Sequence, residues 1–286
     1  YFKLECNQKT GSFKIRGALN KILQLTKYQK KKGIIAFSSG NHGQAVSYAA
    51  KLLNINSTVV MPEDAPRIKI DKTKKNGAKI IFYDRYRENR EKIAMNIAKK
   101  TNQILIKPFD DEDIIIGQGT AGLEITKELT KKNIVPDTYL CCCSGGGLIA
   151  GTSTYLKSYF SDLSVYCVEP KNYDDMRISL KKGKLIAINP TNKTLCDALT
   201  VNIAGKKTFR INKKLLSGGL SVSDSQVKKA VTFLKNKLDV IAEPSGAAPT
   251  AAFLSNAKRY NGKVIVIMIS GGNVDKNLFK QIINNE

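Results

Sequence analysis

The sequence predicts an α/β protein with mostly parallel sheets. Apolar runs of strand length alternate with amphipathic segments of helix length, and three of those runs lead directly into turns rich in serine and glycine. A length of 286 residues suffices for a large core, in one domain or in two closely associated ones. The apolar content of 42% and the charged content of 25% are ordinary for a globular chain.

Seven short apolar runs predict strands, because each is dominated by β-branched, aromatic or cysteine residues and is bounded by polar residues or glycine. They lie at 33–37, 57–61, 79–83, 104–106, 138–143, 164–168 and 264–269. Seven longer segments with apolar residues at helical spacing predict helices. These lie at 43–53, 67–76, 85–101, 117–132, 149–158, 223–238 and 246–260. Helices between strands are the crossover connections that parallel pairing requires.

Cysteine usage and the lack of targeting signals predict a cytoplasmic protein. Three of the six cysteines are consecutive, at 141–143, inside an apolar run. Adjacent cysteines in a strand point to opposite faces, so they predict reduced core residues and not a disulfide framework or a CxxC metal site. No stretch of 18 apolar residues and no signal-peptide pattern occurs, so no membrane association is expected.

A formal net charge of +23 raises the question of nucleic acid. The excess comes from lysines dispersed along the chain, and no recognised nucleic-acid motif accompanies them. Charge alone supports only weak, non-specific binding. We therefore predict no specific nucleic-acid partner.

Lys14 stands in an apolar setting near the start of the chain. Phe13 and Ile15 flank it, and a helix-like run follows. A half-buried lysine loses hydration, which favours the neutral amine that forms a Schiff base. The alternative is a side chain that lies along an apolar surface with its ammonium in water.

The segment 144–148, with the sequence SGGGL, joins a predicted buried strand to a predicted helix. Consecutive N–H groups freed by glycine, together with a helix amino terminus, form a cradle for phosphate. The segment is neither the GxGxxG fingerprint nor a P-loop, so it predicts a phosphate on a cofactor or substrate rather than a triphosphate. The alternative is a turn that permits close packing of strand and helix.

Two further loops follow predicted strands. The turn 38–42 offers hydroxyl and amide groups at a helix start, which suits a carboxylate. Its His42 is the only histidine in the chain, which excludes a histidine-rich metal site and leaves a capping or core role open. The loop 270–273 resembles it in composition. Loops at the carboxyl ends of strands are where α/β folds bind ligands.

Six segments occur together in one order: GSFKIRGA, SSGNHG, GQGT, SGGGL, EPSGA and SGGN. Together they resemble the fold-type-II pyridoxal-phosphate enzymes, specifically the serine racemase and serine/threonine dehydratase group. The resemblance implies the tryptophan synthase β-like fold, with two three-layer αβα domains and a cleft between them. It also implies a homodimer that acts on L-serine or L-threonine.

The resemblance assigns cofactor contacts by position. Lys14 matches the Schiff-base lysine that also removes the α-proton, with Phe13 near the cofactor ring. Asn41 matches the amide at the 3-hydroxyl, and Ser270 the neutral partner of the ring nitrogen. The phosphate contacts fall on the five residues of the glycine loop: Ser144, Gly145, Gly146, Gly147 and Leu148.

The resemblance also assigns substrate and cation contacts. The substrate carboxylate is expected on Ser38, Ser39, Asn41 and His42, with Arg87 near the pocket. Ser39 matches the racemase serine that returns a proton to the opposite face of the α-carbon. Glu169, Asp175 and the Tyr173 carbonyl match a divalent-cation loop, whose oxygen donors suit Mg²⁺ or Ca²⁺; without the resemblance, this segment reads as a solvated acidic loop.

Some positions depart from the racemase pattern. Phe109 has the dehydratase form, Ala198 replaces a glycine beside the cofactor, and Val201 stands where a racemase has serine. We therefore expect a serine/threonine ammonia-lyase with serine racemase activity; the alternative is a non-catalytic relic that binds cofactor weakly or acts as a partner subunit.

The expected domains are a large cofactor-binding domain, 1–32 with 112–286, and a small substrate domain, 33–111. Because chains of this group begin several tens of residues before the lysine motif, we expect the amino terminus to be truncated.

Overall fold

The computed structural model describes residues 1–38, 40–65, 67–85 and 87–284, which form nine strands and twelve α-helices. The strands are β1 (Phe2–Leu4), β2 (Ile34–Phe37), β3 (Ser57–Pro62), β4 (Lys79–Tyr83), β5 (Ile104–Leu105), β6 (Thr138–Cys142), β7 (Ser164–Pro170), β8 (Gly218–Val222) and β9 (Ile265–Ile269). The helices are α1 (Lys14–Leu23), α2 (Lys27–Lys32), α3 (Asn41–Leu52), α4 (Arg67–Lys75), α5 (Arg90–Thr101), α6 (Glu112–Lys131), α7 (Gly147–Tyr159), α8 (Asp175–Lys182), α9 (Lys206–Leu215), α10 (Asp224–Leu238), α11 (Pro244–Ser255) and α12 (Lys276–Asn284).

The chain divides into two compact units. The first unit comprises Tyr1–Phe13 and the chain from Gln118 onward, and the second comprises Lys14–Gly117. The first unit contains a five-stranded sheet in the order β1-β9-β6-β7-β8, and the second a four-stranded sheet in the order β4-β3-β2-β5. All strand pairs in both sheets are parallel. The predicted class, α/β with parallel sheets, is confirmed.

The sheet of the second unit is buried on both faces. On β2, Ile34 and Ala36 pack into a cluster with residues of α1 and α3, whereas Ile35 and Phe37 pack into another with Ala94 of α5. Alternate residues of a strand point to opposite faces. Helices therefore cover both sides of this sheet, as in a three-layer αβα arrangement.

The first unit has one large core built on β6, β7 and β9. Every residue of β6 is buried, including Cys141 and Cys142, and the Tyr139 hydroxyl donates to Thr152 Oγ1 of α7 at 3.2 Å. The six cysteines are free thiols, and those of 141–143 are buried as predicted. Cys6 is the exception, since it is only partly buried.

Most predicted elements are present with shifted ends. The helix predicted from 85 begins at Arg90, after the cap Asn89, and the helix predicted over 246–260 is divided between α11 and a 3-10 turn at Ala257–Tyr260. Seven elements of the structure were not among the predicted ranges: β1, β8, α1, α2, α8, α9 and α12.

The division into units differs from the predicted domains at the amino-terminal helices. Helices α1 and α2 group with the four-stranded sheet, whereas the sequence prediction placed them in the large domain. The assignment of a cofactor domain and a substrate domain stays a prediction.

Across the described residues, no helix is both long enough and apolar enough to cross a membrane.

Candidate active site

The glycine loop lies between β6 and α7 in the first unit. Gly146 has a φ of +90° and caps the start of α7. A methyl group on Gly146 would approach Asn212 Nδ2 to 2.7 Å and Met176 Cε to 2.9 Å, so only glycine fits this left-handed position. The first N–H groups of α7 have no carbonyl partner within the helix, which leaves them available to an anion.

Two side chains of α9 hold the glycine loop in place. Thr208 Oγ1 donates to the Gly145 carbonyl at 2.6 Å, and Asn212 Nδ2 donates to the Gly146 carbonyl at 3.2 Å. Because these bonds turn the loop carbonyls toward α9, they favour an orientation of the loop in which N–H groups face the opposite side.

The hydroxyl of Ser144 opens the same loop. It is buried, and no hydrogen-bond partner for it exists among the described residues. A buried hydroxyl without a partner is costly, and a phosphate oxygen would accept a hydrogen bond from it. The residues of this loop therefore fit the phosphate of the implied cofactor.

The segment 10–13, which precedes Lys14, and the loop after β9 are brought together in the first unit. Phe13 N donates to the Ser270 carbonyl at 3.0 Å, Ser12 forms a bridge with Gly271, and Asn273 Nδ2 donates to the Thr10 carbonyl at 2.8 Å. Ser270 itself is buried at the end of β9. The contact unites Phe13 and Ser270, the two residues expected beside the cofactor ring.

A third segment, Glu243–Ala247, packs on the same loop. Glu243 N donates to the Gly271 carbonyl at 3.0 Å, and a methyl group on Gly246 would lie 2.5 Å from that oxygen. Ser245 Oγ accepts a hydrogen bond from Ala198 N at 3.1 Å. Ala198, the departure from the family pattern, is exposed and is held to this segment by its backbone.

Lys14 opens α1 in the second unit. Its side chain is partly buried, and Nζ donates to the Pro108 carbonyl at 2.8 Å. The position agrees with the predicted half-buried lysine at a helix start. The role of its amine stays a prediction.

The turn between β2 and α3 carries the candidate carboxylate site. Ser38 Oγ accepts a hydrogen bond from Gly40 N at 3.1 Å, and Asn41, which is buried, begins α3. Ser39 lies outside the described residues. The turn ends at a helix amino terminus, whose N–H groups attract anions.

His42 is buried and neutral. Its Nε2 lies 2.9 Å from the Ile106 carbonyl; since a carbonyl only accepts, Nε2 carries the proton. Burial, together with the positive charges of Lys14 and Arg90, lowers the pKa of His42 to about 3. His42 therefore supplies a fixed neutral imidazole and no positive charge for a substrate.

Arg87 lies on the surface of the second unit. Its side chain is 87% exposed, and Nε is 3.6 Å from Asp84 Oδ2. The described contacts of Arg87 do not join it to the turn 38–42, so its substrate role stays a prediction.

The candidate cation loop holds two buried carboxylates in the first unit. Glu169 accepts hydrogen bonds from the N–H groups of Met176 at 3.1 Å and Arg177 at 2.8 Å, at the start of α8. Burial raises the pKa of Glu169 well above its ordinary value, with contributions from Cys167 and Asp175. Burial also raises the pKa of Asp175 to about 7.

Asp175 has no hydrogen bond of good geometry to either carboxylate oxygen among the described residues, although the N–H groups of Ala204 and of Asp175 itself lower its pKa slightly. Two buried acidic groups in one loop fit a cation. Tyr173, whose hydroxyl donates to the Asn192 carbonyl at 3.0 Å, lies in the same loop. The described residues contain no cluster of three or more His, Cys, Asp or Glu side chains that could hold a metal, so a cation here would depend on carbonyl oxygens as well.

The sequence prediction missed Thr208 and Asn212. They lie more than 60 residues after the glycine loop. The sequence offers one indication: the two polar residues are four apart and lie on the face of α9 that also buries Phe209. This spacing indicates that they face the interior, but it does not show which loop they bind.

Comparisons with known proteins cover nearly the whole chain. The family described as pyridoxal-phosphate dependent enzyme matches residues 1–271. The chain is 38% identical to the L-threo-3-hydroxyaspartate ammonia-lyase of Saccharomyces cerevisiae, over 100% of this chain and 86% of that protein. It is 39% identical to the L-threonine ammonia-lyase of Thermotoga maritima, over 99% of this chain and 69% of that protein. The structure of maize serine racemase superposes with a TM-score of 0.91 at 36% identity, covering 99% of this chain and 86% of that one.

Proposed function

Because the chain belongs to the pyridoxal-phosphate dependent enzyme family, we propose that it is an ammonia-lyase of L-serine and L-threonine that also racemises serine. The observation that carries the proposal is the glycine loop after β6, with its left-handed Gly146 and the buried hydroxyl of Ser144. Relatives with ammonia-lyase and racemase activities match the chain over nearly its full length, which supports catalysis over a non-catalytic relic.

The cofactor would be held by the residues that the family resemblance assigns to it. The amine of Lys14 would hold its carbonyl carbon, and the N–H groups of 144–148 its phosphate. The amide of Asn41 would bind the 3-hydroxyl and the hydroxyl of Ser270 the ring nitrogen, with Phe13 against the ring. When bound, pyridoxal phosphate supplies an electron sink that makes the α-proton of an amino acid acidic.

The residues of the chain then move the protons. The substrate carboxylate binds at the turn 38–42, and the substrate amine displaces the amine of Lys14. The freed Nζ of Lys14 takes the α-proton. The proton taken by Nζ would balance the one that the β-hydroxyl needs in order to leave as water. The released enamine would then react with water to give a keto acid and ammonia.

Racemisation needs a second proton donor on the other face of the α-carbon. We assign that donor to Ser39 from the family resemblance alone. A neutral serine at 270 donates a hydrogen bond but does not hold the ring nitrogen protonated as a carboxylate would, which favours rapid elimination or reprotonation.

We further propose that Glu169, Asp175 and the Tyr173 carbonyl bind Mg²⁺ or Ca²⁺. The burial of both carboxylates supports the proposal, because buried acidic groups are paired or bind metals.

The family resemblance supports a homodimer. The free cysteines support a cytoplasmic location. Light scattering of the purified protein tests the dimer.

Lys14→Ala tests the proposed function. The wild-type protein with pyridoxal phosphate is expected to show the visible absorbance band of a lysine-bound cofactor and to release keto acid and ammonia from L-serine, L-threonine or L-threo-3-hydroxyaspartate. Lys14→Ala should lose both the band and the products. Lys9→Ala, which changes an exposed lysine of the same segment, is the control and should keep both.

Product analysis distinguishes the two activities. D-serine formed from L-serine supports racemisation, and Ser39→Ala should lower D-serine more than pyruvate. A wild-type protein that shows no band and no products with added Mg²⁺ would contradict the proposed function.

A further inference from the structure

Arg90 is a half-buried arginine at the first position of α5. The helix begins after its cap, Asn89, whose side chain accepts hydrogen bonds from the N–H groups of Glu91 and Lys92. The amino end of a helix carries partial positive charge, so an acidic residue such as Glu91 stabilises it and a cation does not. The charge of Arg90 therefore does not serve the stability of its own helix.

The guanidinium of Arg90 is held over the ring of Phe37. Its Cζ lies 5.9 Å from the ring centroid, within the distance of a cation–π contact. Phe37 is buried and is the last residue of β2, directly before Ser38. Ala94, one helical turn after Arg90, packs in the same cluster as Phe37, so this face of α5 lies on the end of β2. The contact places Arg90 beside the turn 38–42, in the same unit.

No acidic side chain neutralises Arg90 in the part of the chain that the structure describes. No described carboxylate forms an ion pair with its guanidinium, and no described oxygen accepts a hydrogen bond from it. Acidic side chains of the neighbouring loops contact other arginines, Asp84 with Arg87 and Asp64 with Arg85. The N–H groups of Arg90 are thus available to an anion from solution.

The electric field of Arg90 reaches the start of α3. Burial is the main cause of the low pKa of His42, and the positive charge of Arg90 contributes to it. The N–H groups at this helix start are proposed to bind the α-carboxylate of the substrate. Arg90 comes from a different helix and adds a positive charge that this carboxylate does not need, because the N–H groups of a helix start bind an anion by themselves. A substrate with one more carboxylate would pair with that charge.

We propose that Arg90 is a specificity-determining residue that binds a second carboxylate, on the side chain of the substrate. The inference rests on the proposed function and extends its substrate class to β-hydroxy α-amino acids with two carboxylates, which the enzyme prefers to L-serine and L-threonine. A guanidinium binds a carboxylate through two parallel N–H···O bonds, which are stronger than neutral hydrogen bonds. The net charge of +23 also favours the approach of a substrate with net negative charge.

Arg90→Met tests the charge, because methionine keeps an unbranched side chain and a favourable contact with the ring of Phe37. The probes are L-threo-3-hydroxyaspartate and L-serine, which share the amine, the α-carboxylate and the β-hydroxyl but differ in the second carboxylate. With the wild-type holoenzyme, kcat/KM should be higher for L-threo-3-hydroxyaspartate than for L-serine. In Arg90→Met the ratio of the two values should fall about tenfold or more, mainly through the KM for the dicarboxylate.

Two variants serve as controls. Arg90→Lys keeps the charge but not the two parallel bonds, so it should restore part of the ratio. Lys92→Met removes one positive charge from an exposed position of the same helix and should keep the wild-type ratio.

An equal loss of kcat/KM for both substrates in Arg90→Met would show a structural role or binding of the α-carboxylate and would overturn the inference, as would an unchanged ratio. If Arg90→Met does not fold, Arg90→Gln serves instead and should lower the ratio; an unchanged ratio would again overturn the inference. A wild type that turns over L-serine and favours it over the dicarboxylate overturns only the role of Arg90, whereas a wild type inactive on every hydroxy amino acid overturns the proposed function.

Discussion

Burial fixes the protonation of His42 at the scale of a single residue. The imidazole donates a hydrogen bond from Nε2 to the Ile106 carbonyl and lies near the positive charges of Lys14 and Arg90. Each of these surroundings except the carbonyl disfavours a second proton. His42 therefore orients the start of α3 without titrating at physiological pH.

This neutrality predicts an acid-dependent loss of stability. The folded pKa of His42, about 3, is below its ordinary value of 6.5, so the unfolded chain takes up a proton that the folded chain does not. The contribution of His42 to stability is full above 6.5 and is lost as the pH falls toward 3, by about 2 kcal/mol between pH 7.5 and pH 5. Protonation of Asp175, whose pKa is about 7, stabilises the folded chain over the same pH range, so the His42 term is measured as a difference between proteins. Urea unfolding of wild type and of His42→Gln, which keeps a donor for Ile106, should show that the wild type loses about 2 kcal/mol more than the variant between the two pH values.

The single histidine also allows a direct measurement. Its ring signals in carbon and nitrogen NMR spectra should stay those of the neutral, Nε2-protonated form from pH 8 to pH 5. A titration midpoint near 6.5 would contradict the burial described above.

The site residues differ in how far the sequence could predict them. Lys14 and Ser144 were predicted because they stand inside short motifs whose chemistry is local. Thr208 and Asn212 bind a loop far away in the chain, so only the folded structure brings them to it. Ordinary polar residues on a helix give no sequence signal for such a distant contact.

At the scale of elements, α9 determines the shape of the glycine loop. Its Thr208 and Asn212 fix two consecutive carbonyls, Gly145 and Gly146. Since the loop N–H groups are the proposed phosphate donors, we expect α9 to affect cofactor binding without touching the cofactor.

Thr208→Val should therefore weaken binding of pyridoxal phosphate. The substitution keeps the side-chain shape and removes the bond to Gly145, so a loss of about fivefold to tenfold in affinity is expected. Binding of pyridoxal, which lacks the phosphate, should be unaffected. Absorbance titrations of both compounds measure the difference, and Lys214→Ala, an exposed position on α9, is the control. An equal loss for both compounds would instead indicate general damage to the fold.

The elements missed by the sequence prediction share a physical reason. Strand β1 has only three residues, and β8 begins with two glycines, which have low strand propensity. Gly219 is required because a methyl group there would approach Arg177 Cβ of α8 to 2.7 Å. A close approach between elements explains this glycine, and the local pattern alone does not reveal it.

At the scale of the whole molecule, the α/β class and the family resemblance are confirmed. Long runs such as 138–143 and 264–269 made the class predictable, because strands buried on both faces lack polar alternation. The substrate preference was not predictable in the same way, since it depends on side chains from separate elements.

A divalent cation should stabilise the folded protein. Ionised Asp175 is buried with few hydrogen-bond donors, which costs free energy in the folded state. A cation that binds only the folded state recovers that cost, so millimolar Mg²⁺ or Ca²⁺ at pH 8 should raise the melting temperature. Asp175→Asn should melt higher than wild type in a chelator and should lose the response to the cation.

Asp174→Asn is the matched control for this experiment, because Asp174 pairs with Arg177 instead. It should keep the response to the cation. A wild-type melting temperature that does not change with either cation would contradict the proposed site.

The pairing of β1 with β9 has a consequence for biosynthesis. Asn273 lies 263 residues after Thr10, to which it is bonded, so the partner of the lysine motif is synthesised near the end of the chain. At about 5–20 residues per second, the ribosome needs roughly 13 to 50 s to make the intervening chain. During that interval the amino-terminal segment of the nascent chain lacks β9 and the loop after it, to which it is hydrogen-bonded in the folded protein. Cofactor loading is therefore expected to follow translation of the last strand, and a ribosome-stalled chain ending before β9 should not retain pyridoxal phosphate.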